Sequence, residues 1–424
     1  MKKRAYLLLV LVLAIVASLG AVYAAPKTQV KVLNWWLSAF QPYFDDMEKE
    51  FEARNPNIDI VWDNVDGDIT QTLPTLIASG KVPDLVNLNN ETAFTYYQRG
   101  ALEPLDLYLS KQDIDVYVDS LWNKTKFDGK FGYTFPWYAS PQVLFINDSV
   151  FAKAGLDPVK DAPKTWEDME KISKIIVEKT KLPAYAIEFA NLGWEETLRV
   201  GVDMFSKDLK KAAFNTQKVA DRLEYLRRAY AAGYLPKELP DYQAVQAMFA
   251  QSQIAMFPLG LSMYRWIKAD NPNLKFTVAP YPISPKGANK LHVSMMNYVV
   301  MKASKVKKEA VEVGKFLTGS YAQIQFAVGP ASIIPSTKIS VDSEPNFLKG
   351  EDKGKIEAQR LAAATMKNAD NLIVINVPKG VDFAQLSTTV RDEFLKAIRG
   401  EKTVKDALKV AENQANQLIK AAGN

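Results

Sequence analysis

Strand and helix alternate three times between Val30 and Gly100, and this repetition most limits the folds open to the chain. Val30–Trp35 reads as a buried strand. Phe44, Met47 and Phe51 recur at helical spacing with acids between them, and Asn55-Pro56 stops the run. Ile58–Trp62 alternates as the next strand. Ile69–Ser79 is a second helix, with Pro74 inside it and Gly80 at its end. Pro83–Leu88 leads into a third strand, and Ala93–Arg99, closed by Gly100, is a third helix. Units of this length imply a parallel sheet with helices on both faces.

A second series begins after Gly132. Val143–Asn147 is a strand. Thr165, with Asp168 three residues on, is a capping box that opens a helix running to about Lys179. Ala184–Phe189 is a strand, and Leu223–Ala232 is a helix ended by Gly233. Gln253–Phe257 and Phe276–Pro280 are further strands. Proline-rich Ala279–Pro285 marks a crossover, and Lys307–Leu317 is helical. The tail, Thr389–Ala422, is helical, broken at Gly400 and capped anew by Thr403 with Asp406. Two strand–helix series joined more than once imply an α/β chain of two lobes. Clefts between such lobes are favoured ligand sites.

Ahead of the first strand stands a leader. Lys2, Lys3 and Arg4 precede an apolar run, Ala5–Leu19, and Val22-Tyr23-Ala24 supplies small residues for a peptidase. Residues 1–24 therefore read as a signal peptide cleaved after Ala24, the rival being a leader retained as an anchor. Export places the protein in the periplasm or otherwise outside the cytoplasm. The chain has no cysteine, which rules out a lipid anchor, disulfides, zinc–thiolate sites and thiol nucleophiles. A disulfide-free exported chain must rely on core size, and its length suffices for two substantial cores. The formal net charge is +5, three units of it in the leader. The nearly neutral remainder argues against nucleic-acid binding.

Catalytic signatures are missing. His292 is the single histidine, and its apolar neighbours Leu291 and Val293 suit a structural role. Gly260-Leu261-Ser262-Met263-Tyr264 starts like a nucleophile elbow but lacks the closing glycine. No phosphate-binding glycine loop is present. Asn64-Val65-Asp66-Gly67 resembles a calcium loop, but Trp62 and Leu73 hold positions that need oxygen donors. Glu195-Glu196 could serve a glycosidase, though acid pairs are ordinary on solvated helix faces. No metal, no cofactor and no catalytic residue is expected.

Several stretches, in order, resemble the solute-binding proteins that deliver sugars to ABC importers, the maltose-binding-protein-like family. They are Phe51–Ile60; Ala78-Ser79-Gly80-Lys81-Val82-Pro83-Asp84-Leu85; Gly132–Tyr138 with Val143–Asn147; Phe151–Leu156; Pro163–Trp166; and Phe249–Met256. In the last, Ser252 and Gln253 replace the family's Gly-Lys. The resemblance implies two α/β lobes, each a mainly parallel sheet flanked by helices, joined by hinge crossovers. Residues 25–135 with 288–331 would form the first lobe, and residues 136–287 with 332–424 the second.

The resemblance also places candidate ligand contacts. Trp35, Trp36 and Ser38 follow the first strand, Asp66 the second, and Asn89, Asn90 and Glu91 the third. Trp137 and Tyr138 sit at the crossover. Glu188, Phe189 and Trp194 follow a second-lobe strand. Gly260, Ser262 and Met263 follow the Ala-Met strand, and Met296 with Asn297 lies on the returning segment. Strand neighbours face opposite ways, so one of Trp35 and Trp36 can point into the core, and Trp36 is favoured for the cleft. Trp137, Tyr138 and Trp194 are balanced between ligand contact and packing. Met263 and Met296 suit gap-filling, Trp166 helix-start packing, and Trp62 and Trp266 the core or a lobe surface.

Aromatic rings suit the C–H face of a sugar, and carboxylates, amides and hydroxyls suit its rim. The expectation is a monomeric, non-enzymatic receptor that captures a sugar or short oligosaccharide and delivers it to membrane permease subunits. A polyol, phosphate ester or amine is the alternative ligand, and an exported carbohydrate-active enzyme the alternative class.

Overall fold

The computed structural model describes residues 26–35, 40–65, 69–187, 189, 191–240, 242–283, 290–329, 333–338, 352–366 and 377–423. The leader, Trp36, Ser38, Asp66 and Glu188 lie outside them.

The opening βα series forms as the patterning requires. β1 (Thr28–Trp35), β2 (Ile58–Val65) and β3 (Leu85–Asn89) alternate with helices α1 (Gln41–Arg54), α2 (Ile69–Ala78) and α3 (Asn90–Gln98). β1 lies between β2 and β3, parallel to both. Asp84, from the Pro-Asp stretch, fastens this sheet. Its carboxylate accepts from the Lys31 N–H at 2.9 Å and from the Ser304 hydroxyl at 2.6 Å.

The strand order is β2-β1-β3-β7-β4-β5, with β6 and β8 also on β4. β4 (Phe135–Asn147) holds this order together. Up to Pro141 it pairs with β7 (Val293–Val300) and with β8 (Ile334–Pro335); from Gln142 it pairs with β5 (Met256–Gly260) and β6 (Phe276–Pro280). One strand thus belongs to two sheets. The expected mainly parallel sheets are realised in β2-β1-β3. Every pairing of β4 and β7 is antiparallel, because the chain crosses back through these strands instead of adding another βα unit. The expected strand at Ala184–Phe189 reduces to one parallel bridge, Tyr185 to Met256.

The second half is dominated by helices: α4 (Trp166–Thr180), α5 (Leu192–Arg199), α6 (Gln217–Ala231), α7 (Tyr242–Ala250) and α8 (Met263–Asp270). α9 (Lys307–Leu317), α10 (Ser320–Val328), α11 (Phe383–Ile398) and α12 (Val404–Ala421) follow. The two caps legible in the sequence are present: Thr165 with Asp168 forms a reciprocal capping box, and Thr403 accepts from the Asp406 N–H at 3.1 Å. α11 packs on α12 and on α5. The contact with α5 is close because Gly193 carries no side chain; a Cβ there would meet the Arg391 backbone nitrogen at 3.0 Å. That approach sets Trp194 beside Phe383, centroids 6.3 Å apart.

Candidate ligand-binding cleft

β4 and β7 run side by side and form the floor of a cleft. Alternate residues of a strand share a face. Tyr138, Ser140 and Gln142 of β4 line the cleft, as do Ser294 and Met296 of β7 and His292 just before it. A bulge sets this register: Pro136 pairs with Asn297 and Tyr138 with Met296, so Trp137 is the extra residue. The bulge sends Tyr138 to the cleft and Trp137 into the core.

The cleft has two parts that share Asn89, Ser140, Ser262 and Ser294. One, about 440 Å³, is walled by Trp194 and Phe383, with Glu91, Gln142 and Asn191 among its polar groups. The other, about 690 Å³, is walled by Trp35, Tyr138 and Trp266, with Gln243 and Gln246 from α7. Both are the size of small-molecule sites. The charged residues among those described in the lining are Glu91 and Asp270; no arginine or lysine is among them.

Local geometry holds the polar groups in place. Asn89 ends β3 and caps α3, accepting from the Thr92 N–H at 2.8 Å. The Ser140 hydroxyl accepts from the Ser262 N–H at 3.0 Å, which ties β4 to the loop after β5. Gly260 is required at that junction, since a Cβ would stand 2.9 Å from the Ser140 oxygen. Gln142 is gripped from behind. Its Nε2 donates to Glu195, and its Oε1 accepts from Arg199 at 3.0 Å. Behind it, Arg199 pairs with Glu195 and with Glu196, and Arg222 pairs with Glu196. The sequence pair Glu195-Glu196 is therefore a buried ion network.

Electrostatics follow from burial. Burial pushes the His292 imidazole down to about 4 against the pull of Glu91, leaving a neutral ring that meets Trp194 edge-on at 5.0 Å. Burial likewise lowers Lys124 to about 7, with Glu91 opposing and Lys290 adding to the shift. Burial raises Glu196, but Arg222 and Arg199 outweigh it and hold the carboxyl below its usual range. For Glu195 burial prevails and its carboxyl is raised.

Of the sequence candidates, Trp35, Asn89, Glu91, Tyr138, Trp194, Gly260, Ser262 and Met296 come together along the cleft. Trp35 lines it; Trp36, the tryptophan favoured from the sequence, lies outside the described residues. Five of the described candidates do not line it. Trp137 stacks on Phe326, centroids 4.6 Å apart, in the core. Asn297 is fully buried; its Oδ1 accepts from the Thr134 hydroxyl at 3.0 Å, and its backbone carbonyl from Asn87 at 3.1 Å. Met263 and Phe189 are also core residues. Asn90 is half-buried beside the cleft, with its Oδ1 unpartnered.

Ser140, Gln142, Asn191, His292, Ser294 and Ser387 were not singled out as contacts. β4 is buried at every residue, so its sequence shows no alternation to read. His292 has a place in the cleft wall that its apolar neighbours hid. Trp266, assigned to the core or a lobe surface, lines the cleft.

Comparison with known proteins identifies the family and the fold. The family model described as bacterial extracellular solute-binding protein matches residues 36–324. A protein of Brucella abortus named as a binding protein is 27% identical over 285 residues, covering 65% of this chain and 68% of the relative. An ABC substrate-binding protein from Listeria monocytogenes, solved with cycloalternan, superimposes with a TM-score of 0.78 at 24% identity, covering 93% of this chain and 99% of the other. A cyclic α-maltosyl-1,6-maltose binding protein from Arthrobacter globiformis gives 0.79 at 21% identity, covering 93% and 100%. These two likenesses establish the two-lobe α/β fold.

Proposed function

The chain belongs to the bacterial extracellular solute-binding proteins, and from that premise we propose that it captures a neutral oligosaccharide for an ABC importer. The observation that carries the ligand class is the lining of the cleft. Aromatic surfaces stand in both parts, Trp194 in one and Trp35, Tyr138 and Trp266 in the other, with a shared stretch of amide and hydroxyl groups between them. Rings spaced by hydroxyl-binding groups suit more than one sugar unit. The lack of arginine and lysine among the described lining residues weighs against a phosphate ester, which those side chains recognise best.

We take the lobe boundary to fall between Pro141 and Gln142, where β4 leaves one sheet for the other. Closure would then bend β4 next to Ser140 and Gln142. Ligand favours the closed form only by its differential affinity for it. Capture and release make no covalent bond. The leader, export to the periplasm, a monomeric state, the absence of a lipid anchor and a membrane permease as partner complete the proposal.

An amine is the second reading, because Glu91 and Asp270 are the charged groups among the described lining residues and aromatic rings share that lining. Mass spectrometry of the solute released from protein purified from its native host separates the two. A neutral sugar supports the proposal; a cationic solute would replace it.

A further inference from the structure

The larger part of the cleft has Trp35, which ends β1, on one side and Trp266, in α8, on the other. β1 lies between β2 and β3, whereas α8 follows β5 and packs on α7. With the lobe boundary at Pro141 and Gln142, the two tryptophans therefore stand on different lobes.

One cation joins the two walls without being among the described lining residues. The guanidinium carbon of Arg265, in α8, lies 4.4 Å from the centre of the Phe40 ring and 5.1 Å from the Trp266 ring. Phe40 stands edge-on to Trp35, centroids 5.8 Å apart. A chain of contacts, Trp35–Phe40–Arg265–Trp266, thus runs from one lobe to the other. Phe40 is a fixed surface for the arginine: it is 3% exposed and packs edge-on against Phe326, centroids 5.0 Å apart.

Among the described residues Arg265 makes no ion pair and no hydrogen bond, so the rings are its partners there. It is half-buried, and burial lowers its pKa against the pull of Tyr138. A cation in a partly desolvated place gains more from a ring face than one in open water.

We propose that Arg265 is a positioning residue for ligand capture, which lies on Phe40 across the lobe boundary and holds the Trp35 and Trp266 walls together in the unliganded chain. The attraction acts before a ligand arrives. It raises the fraction of chains whose walls already face each other, and apparent affinity rises with that fraction. The effect on affinity rests on the reading of the cleft as a sugar site, while the contact between lobes needs no ligand.

The chain has no cysteine, so spin labels on Thr75→Cys in α2 and Ala244→Cys in α7, both exposed positions, report one distance across the cleft by pulsed electron paramagnetic resonance. In the ligand-free full chain, Arg265→Ala should shift that distance to longer values. Arg265→Lys keeps a cation over Phe40 and should restore most of the original distance. Phe40→Leu should shift it as Arg265→Ala does, and the double variant should add nothing, as for two residues that act through each other. Arg265→Gln replaces Arg265→Ala if circular dichroism shows that chain unfolded. Where the parent chain binds maltotriose or cellotriose, Arg265→Ala should bind it about tenfold more weakly. An unchanged distance in folded Arg265→Ala or Arg265→Gln, a shift that Arg265→Lys fails to reverse, or additive shifts in the double variant would each overturn the proposal. A shifted distance in a chain that takes up no sugar would uphold the contact between lobes and count only against the sugar reading.

Discussion

Gln142 and Arg199 are joined by a 3.0 Å hydrogen bond that connects the floor of the cleft to the buried ion network behind it. Gln142 presents its side chain to the cleft, yet both ends of its carboxamide are held, one by Glu195 and one by Arg199. Replacing it with alanine removes a polar surface from the cleft and strips a partner from two buried charges. Gln142→Ala should destabilise the fold by about 1–3 kcal/mol in urea unfolding and weaken ligand binding as well. An unchanged unfolding midpoint would show that the network does not depend on this bond.

Gly260 tests the precision of the floor. Gly260→Ala puts a Cβ against the Ser140 oxygen, which the Ser262 N–H fixes in place. Affinity should fall, and Ser140→Ala in the same chain should recover part of it by removing the clashing oxygen. If the double variant binds no better than Gly260→Ala, the clash is not the cause.

Trp194 and Trp137 separate binding from packing. Trp194 stands in the cleft wall, whereas Trp137 is stacked on Phe326 in the core. Trp194→Ala should cost about 1–3 kcal/mol in ligand affinity. Trp137→Ala should cost about 3–5 kcal/mol in stability, read by denaturant unfolding. Trp194 is itself buried and loses stability too, so the contrast is read in affinity: an equal loss of affinity in the two folded variants would contradict the assignment.

The single histidine gives a clean pH signature. His292 is held neutral with its pKa near 4, below the ordinary value of about 6.5. For a base whose folded pKa is depressed, the stabilisation is complete above about pH 6.5 and is lost as pH falls toward 4. Stability should therefore decline through that window, and His292→Gln should flatten part of the decline. Its imidazole resonance in NMR should titrate near 4; titration near 6.5 would show that the ring is solvated.

Much of the fold was legible because local rules and tertiary packing agree. The Thr165–Asp168 box, the Thr403 cap and the three opening βα units each follow from spacing alone. The site was legible only in part. The family resemblance placed Asn89, Glu91, Gly260 and Ser262 at the ends of β3 and β5, and there they line the cleft. The floor did not announce itself. The bulge at Trp137 shifts the alternation by one residue, and a fully buried strand carries no polar–apolar rhythm. Phe383 and Ser387 reach the cleft from a C-terminal helix docked through Gly193, a contact that no local pattern encodes.

The most direct test is calorimetric titration of the chain with neutral mono-, di- and oligosaccharides, repeated with Trp194→Ala and with Trp266→Ala. The account expects saturable binding of at least one oligosaccharide, stronger than its constituent monosaccharide, and weakened about tenfold or more by either substitution. Folded protein that stays silent across the whole panel, or a sugar bound equally well by both variants, would contradict it.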